Sequence, residues 1–400
     1  MRQKVVVIGQ GITGRLGIIR SVAQIDCDVT IIALVPRDKK GNLIEKKPVD
    51  AYSQYVSRCF FSESFNDEML LDTLLKYCVD DSQKPIIFPD NDFSAATLDY
   101  HYSQLIKHFI LPHINHCQGA VAEWMDKLKQ KKLAEDLGIP IVHAYVIQSL
   151  HEFHTDNINY PCFVKPLASM KGRKWLMERC NDEKSLRDRI KFTLDKIGDI
   201  PLLVEDYKSI NREFSIVGFS DGNHVVIPGV LELLHIAHGR HMGVAVQGKV
   251  FPISDFEEIL GKFSQLVRKI GFCGVFDIDF FESEGILYFC ELNLRFGGSG
   301  YAYTKLGVNL PAMMVKSFLG ESIETMNKQI MRSAYYFNEK MATDDWYDGY
   351  ISLKEFHDME KKSSIRFIQD NVDVRPQKAF DREFRILRTK KIIKKCLGMK

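Results

Sequence analysis

Residues 276–295 read FDIDFFESEGILYFCELNLR. Asp279 stands in an apolar run, Glu291 follows twelve residues later, and Asn293 comes two beyond that. The segments VFDIDFF and ILYFCELN have strand composition, and Glu284-Gly285 between them is a turn pair, so a hairpin is expected. Side chains alternate along a strand, so Glu291 and Asn293 share a face that Asp279 can meet from the neighbouring strand. Two carboxylates and an amide oxygen on one sheet face suit a hard, oxygen-preferring cation such as Mg²⁺, which commonly also holds substrate phosphates. The bland alternative is a hairpin whose polar face meets water.

Two other stretches carry groups suited to phosphate. PCFVKP, residues 161–166, is an apolar strand delivering Lys165, and the small-residue loop LASMKG follows it with Ser169, Lys171 and Gly172. Backbone N–H groups and an ammonium in such a loop can surround a phosphate. LLVEDY, residues 202–207, is an apolar strand running into Glu205, Asp206 and Tyr207, with Lys208 next and Glu213 eight residues beyond Glu205. Lys127, in Trp-Met-Asp-Lys, opens a helix that ends at Gly138-Ile-Pro140.

That order of lysine, lysine with loop, acidic hinge and metal hairpin resembles the ATP-grasp superfamily, the fold of D-alanine–D-alanine ligase, biotin carboxylase and the carbamoyl-phosphate synthase large chain. The resemblance covers roughly residues 119–310 and rests on MDK, FVKPLASMKG, LLVEDY with its later Glu213, and DFF…ELNLR. It implies that Lys127 and Lys165 hold the α- and β-phosphates of ATP, with Ser169, Lys171 and Gly172 in a loop over them. It implies that Glu205, Asp206, Tyr207 and Lys208 read adenine, largely through backbone groups, and that Glu213 takes the ribose hydroxyls. Asp279, Glu291 and Asn293 become Mg²⁺ ligands (Mn²⁺ being an alternative), and Arg295 lies at the transferred phosphate. The chain departs from the family in carrying Leu294 where Asn-Pro-Arg is usual, Lys208 where an apolar residue is common, and a loop poorer in glycine. The activity implied is an ATP-dependent carboxylate–amine (or carboxylate–thiol) ligase acting through an acyl phosphate, with a kinase or a non-catalytic nucleotide-binding subunit as alternatives. The N-terminal segment is similar to the small-molecule and cell-wall ligase branch that includes D-aspartate ligase.

The elements around these motifs predict an α/β (α+β) chain with an N-terminal Rossmann-like parallel sheet, and the resemblance implies that a two-subdomain ATP-grasp fold follows it. Residues 1–118 alternate strand and helix, which implies parallel pairing. The resemblance implies a linker helix and a lid subdomain over residues 119–200 and a catalytic subdomain over residues 201–320, with residues 321–400 an extension outside it. Gly9-Gln-Gly11-Ile-Thr-Gly14 partly echoes a dinucleotide fingerprint, but Val35-Pro-Arg37 ends the second strand where an acid is expected.

Composition excludes several classes. A formal net charge of +2 gives no global reason to bind nucleic acid, and no apolar run approaches the roughly 18 residues of a membrane span. The nine cysteines are scattered without a CxxC pair, which reads as free, mostly buried thiols in a reducing cytoplasm. Small carboxylate and amine substrates are the implied partners, and self-association into a homo-oligomer stays open. Residues 381–400 carry eight Lys or Arg against two acids, with a rough apolar stripe at Phe384, Leu387, Ile392, Ile393 and Leu397. Such a helix either meets an anionic membrane or a protein partner peripherally, or packs on its own chain with a solvated basic face. In HIAHGRHMG, Arg240 is placed on a loop at the site mouth to contact phosphate or a substrate carboxylate. Asp90 and Asp92 read first as helix N-caps, Arg20 as a solvated arginine, and Gly297–Gly300 as a flexible turn.

Overall fold

The computed structural model describes residues 2–147, 158–167, 177–198, 200–239 and 243–396. Strand β1 (Lys4–Gly9), helix α1 (Ile12–Ala23), β2 (Asp28–Val35), β3 (Val56–Glu63), α2 (Asp67–Tyr77), β4 (Ile86–Pro89), α3 (Asp92–Tyr100) and α4 (Tyr102–Leu105) form the first unit. Its four strands are parallel in the order β3-β2-β1-β4. The continuous apolar run VVVI explains the double burial of β1: Val5 and Val7 enter one core, Val6 and Ile8 the other. Strand β3 was not expected from the sequence; its residues alternate too weakly, VSRCFFSE, to announce an edge strand.

Next come β5 (His113–Ile114), α5 (Ala120–Glu123) and α6 (Lys127–Asp136). Helix α6 opens at Lys127, as the sequence implies, because the Asp126 side chain accepts the N–H groups of Leu128 and Lys129. Strands β6 (Ala144–Ile147), β7 (Cys162–Pro166), β8 (Glu178–Cys180), helix α7 (Glu183–Ile197) and β9 (Leu202–Asp206) build a small antiparallel sheet in the order β6-β9-β7-β8.

The large sheet uses β10 (Arg212–Asp221), β11 (Val225–Val226), β12 (Val230–Ile236), β13 (Ala245–Phe251), β14 (Phe272–Ser283) and β15 (Ile286–Asn293), with α8 (Glu257–Ile270) across one face. Buried Ile259, Leu260, Phe263, Leu266, Val267 and Ile270 recur at helical spacing on α8 and meet Phe214, Phe280 and Phe289 of the sheet. Truncating a fully buried ring such as Phe263 to Ala costs about 3–5 kcal/mol. Helices α9 (Tyr301–Lys305) and α10 (Leu310–Phe318) cover the other face and share one core with α1 of the first unit.

Strand β16 (Ala334–Phe337), helices α11 (Glu339–Asp348) and α12 (Leu353–Lys362), β17 (Ile365–Arg366) and α13 (Val374–Cys396) complete the chain. Thus β16 and β17 extend the large sheet, whose order is β15-β14-β10-β12-β13-β16-β17. The basic helix α13 packs on its own protein in its first half: Ala379 and Phe380 are buried, and Phe384 sits 5.2 Å from Trp346 and 5.7 Å from Phe356. Ile386 and Ile393 remain exposed, and Leu397 lies outside the described residues. Among the described residues no helix is long and apolar enough to cross a membrane.

Candidate active site

The hairpin forms as its sequence implies. Glu284 and Gly285 take φ of 52° and 78°, the left-handed pair of a type I′ turn. The register sets Asp279 opposite Glu291 and Asp277 opposite Asn293. All four side chains therefore lie on one face, with Asn293 Nδ2 3.5 Å from Asp279 Oδ2. Asp277 was missed in the sequence, although the same alternation that pairs Glu291 with Asn293 marks it, two residues before Asp279. It is buried, accepts from Ser215 Oγ at 2.6 Å, and meets Arg295 Nη1 at 3.4 Å. Burial, then the neighbouring Asp279 charge, pushes its carboxyl upward.

Lys127 reaches this face because α6 is bolted to β15. Gln130 Nε2 donates to Leu292 O at 2.8 Å, and its Oε1 accepts from Leu292 N at 2.9 Å. Lys127 is 5% exposed and ion-pairs with Glu291. Burial, then the charge of Lys165, lowers its ammonium to about 8. Lys165 pairs with Glu205 at 2.8 Å, and Lys131 holds the same carboxylate at 2.9 Å. The Glu205 side chain is thus committed to Lys165 and Lys131. Burial pushes Glu205 up, but Lys165 and Lys131 together hold it at about 2.

In the segment expected to form the hinge, Asp206 N donates to His143 O at 3.1 Å and Tyr207 N to Pro161 O at 3.0 Å, so both N–H groups are committed. The Tyr207 ring lies 4.2 Å from the Arg179 guanidinium, and Lys208 Nζ lies 5.7 Å from the Tyr288 ring. Glu213 stands on β10 opposite Phe281, in step with Ser215, and so shares the face of Asp279. Ser169, Lys171, Gly172 and Arg240 lie outside the described residues.

The first unit closes the site from the other side. Neither Asp90 nor Asp92 caps α3; Asn91 does, accepting from Ser94 N. Asp92 instead accepts from Arg295 Nε at 2.9 Å. Asp90 accepts from Gln10 N and Gly11 N at 3.2 Å each, so a protein carboxylate already occupies the glycine turn where a dinucleotide phosphate would sit. A Cβ on Gly9 would lie 1.4 Å from Asp90 Oδ1, which explains that glycine. Arg20 is not solvated: it is 3% exposed, pairs with Asp373 at 3.0 Å, and donates to Phe367 O and Ile368 O, clamping α1 to the C-terminal segment. Gly297 lies where a Cβ would come 2.8 Å from Asp277 Cγ, so the glycine turn after Arg295 lets backbone pass tightly against the acidic face.

A cavity of about 260 Å³ collects Lys127, Arg295, Asp92, Asp277, Asp279 and Glu291, with Ser215, Gly298 and Ser299 beside them. Among the described residues no three His, Cys, Asp or Glu side chains converge on one point, since Glu291 turns to Lys127 and Asp277 to Ser215 and Arg295. The donor chemistry still fits Mg²⁺. The ion takes one or two carboxylates and fills its shell with water and substrate oxygens, and Asp279, Glu291 and Asn293 offer oxygens from adjacent strand positions.

Residues 132–311 match the family model described as ATP-grasp domain. The carbamoyl phosphate synthase large chain of Clostridium perfringens (strain 13 / Type A) is 26% identical over 336 residues, 81% of this chain. This chain spans 30% of that relative's length. In fold it is similar to the L-amino acid ligase from Bacillus licheniformis, with TM-score 0.61 and 16% identity over 84% of this chain and 80% of that one. It is also similar to the biotin carboxylase domain of the Hydrogenobacter thermophilus 2-oxoglutarate carboxylase, solved with MgADP, ADP and bicarbonate, with TM-score 0.64 and 18% identity over 84% and 74%. The span that matches the ATP-grasp domain model, residues 132–311, takes in the small antiparallel sheet, the acidic hairpin and Arg295.

Proposed function

We propose that this chain is an ATP- and Mg²⁺-dependent ligase that joins a small, amino-acid-like carboxylate to an amine through an acyl phosphate, releasing ADP and phosphate. The observation that carries this reading is the cavity in which two cations, Lys127 and Arg295, face the carboxylates of Asp277, Asp279 and Glu291. Its polar lining suits a phosphate chain with its metal and a small charged substrate. The solved relative holding MgADP and bicarbonate supports it.

In this reading Lys127 and Lys165 exchange Glu291 and Glu205 for the α- and β-phosphates, beneath the loop of Ser169, Lys171 and Gly172. The segment Glu205–Lys208 reads adenine through backbone groups other than the committed Asp206 and Tyr207 N–H groups, and Glu213 takes the ribose. Asp279, Glu291 and Asn293 would hold Mg²⁺, which would supply charge neutralisation to the phosphate chain. Arg295, held by Asp92, stabilises charge on the transferred phosphoryl, and Arg240 meets the substrate carboxylate or phosphate. The substrate carboxylate oxygen attacks the γ-phosphate, and an amine then displaces phosphate from the acyl carbon. No covalent enzyme nucleophile is needed, so catalysis is positioning and charge neutralisation.

The test is a screen of amino acids and small carboxylates for substrate-dependent ADP release with hydroxylamine as acceptor. Hydroxamate formation with at least one acid, and none without Mg²⁺, is expected. AMP as the nucleotide product would defeat the mechanism, and a stable phosphorylated product without hydroxamate would assign a kinase.

A further inference from the structure

β7 and β8 run antiparallel and set Cys162 directly opposite Cys180. Opposed residues of an antiparallel pair have Cα atoms about 4.5–5.5 Å apart, within the roughly 4.4–6.8 Å that a disulfide spans. Both side chains enter the same core, with Leu186 and Ile190 of α7, and are 0% and 1% exposed. Both are free thiols, and no other strand pairing among the described residues sets two cysteines opposite each other. The two thiols lie within hydrogen-bonding reach, a contact that draws Cys162 below the ordinary thiol range and pushes Cys180 above it. On the opposite face of the same strand stands Lys165.

We propose that Cys162 and Cys180 are an oxidisable dithiol, a modification site at which a hydroperoxide makes a cross-strand disulfide and stiffens the sheet that carries Lys165. A small uncharged oxidant suits a buried pair. The Cys162 thiolate attacks the peroxide oxygen, the O–O bond breaks, and the departing alkoxide or hydroxide takes up the proton that Cys162 released, leaving a sulfenic acid. The Cys180 sulfur then attacks the Cys162 sulfur, the S–O bond breaks, and water leaves with the Cys180 proton. Two electrons pass from the two sulfurs to the peroxide.

Treating the full chain with hydrogen peroxide and mapping unreduced peptides is expected to give a linked Cys162–Cys180 peptide, an intact mass lower by two hydrogens, and full reversal by dithiothreitol. Amide exchange in β7 and β8 should slow several-fold in the linked form. Cys180→Ser is expected to leave Cys162 as a sulfenic acid trapped by dimedone, with no link. Recovery of Cys162 and Cys180 as separate free or over-oxidised residues in the treated wild-type chain would overturn the site. A linked pair with unchanged exchange would overturn the stiffening.

Discussion

Arg295, just beyond β15, donates through Nε to Asp92 Oδ1 at 2.9 Å across 203 residues of sequence. The contact joins the first turn of α3 in the parallel unit to the end of the acidic hairpin. It holds the guanidinium fork in place, while Nη1 faces Asp277 at 3.4 Å. Burial disfavours the Arg295 charge, but Asp92, Asp277 and Asp279 outweigh that and keep it firmly protonated.

Asp92→Ala should therefore lower turnover by tenfold to a hundredfold, about what a misplaced catalytic group costs. Nucleotide-analogue affinity should change little, because Asp92 acts on the arginine and not on the nucleotide. Steady-state ADP release beside equilibrium titration separates the two effects; equal losses in both would argue for a direct nucleotide contact.

Asp279→Asn and Glu291→Gln are each expected to abolish turnover while keeping the shape of the hairpin. Their stabilities should differ. Glu291→Gln strips the partner from Lys127, which is 5% exposed, so its melting temperature should fall further than that of Asp279→Asn. Wild-type-like activity in either variant moves the metal elsewhere.

Lys165→Ala should weaken binding of a non-hydrolysable ATP analogue by about tenfold or more, the scale of one lost charged hydrogen bond. It also has a pH signature. Glu205 sits at about 2 in the folded chain against an ordinary 4.5. Its stabilisation is fully present above the unfolded value and is lost as pH falls toward the folded one, about 3 kcal/mol in all. Removing Lys165 takes part of that away, so the stability gap between wild type and Lys165→Ala should narrow from about pH 6 to about pH 3. Urea unfolding across that range reads it, and a constant gap would falsify the ion pair.

Arg20→Ala leaves Asp373 buried and three backbone carbonyls without their donor, so a loss of about 3–5 kcal/mol is expected. Turnover per folded molecule should stay unchanged, since the clamp lies between α1 and the C-terminal segment. Denaturant unfolding and activity on the same samples check both halves.

Gly9→Ala should fail to accumulate as folded protein, because the new methyl group would overlap the Asp90 carboxylate. Wild-type protein should bind no nicotinamide dinucleotide at that turn, where Asp90 takes the Gln10 and Gly11 N–H groups. Saturable binding of such a cofactor that is lost on Gly11→Val would reverse this reading.

Local features were legible in the sequence because local physics sets them. Alternation along VFDIDFF and ILYFCELN places Asp279, Glu291 and Asn293 on one face, and Glu284-Gly285 supplies the left-handed turn that fixes their register. The apolar VVVI run marks a strand buried on both faces. What the chain order hides are partners far apart in sequence. Asp92 looks like a helix cap and proves to be the anchor of Arg295; Arg20 looks solvated and proves to be buried. Glu205 looks like a hinge acid and is spent on two lysines. A charged side chain's role depends on which opposite charge the packed sheets bring beside it after burial has removed water, and only the tertiary structure decides that.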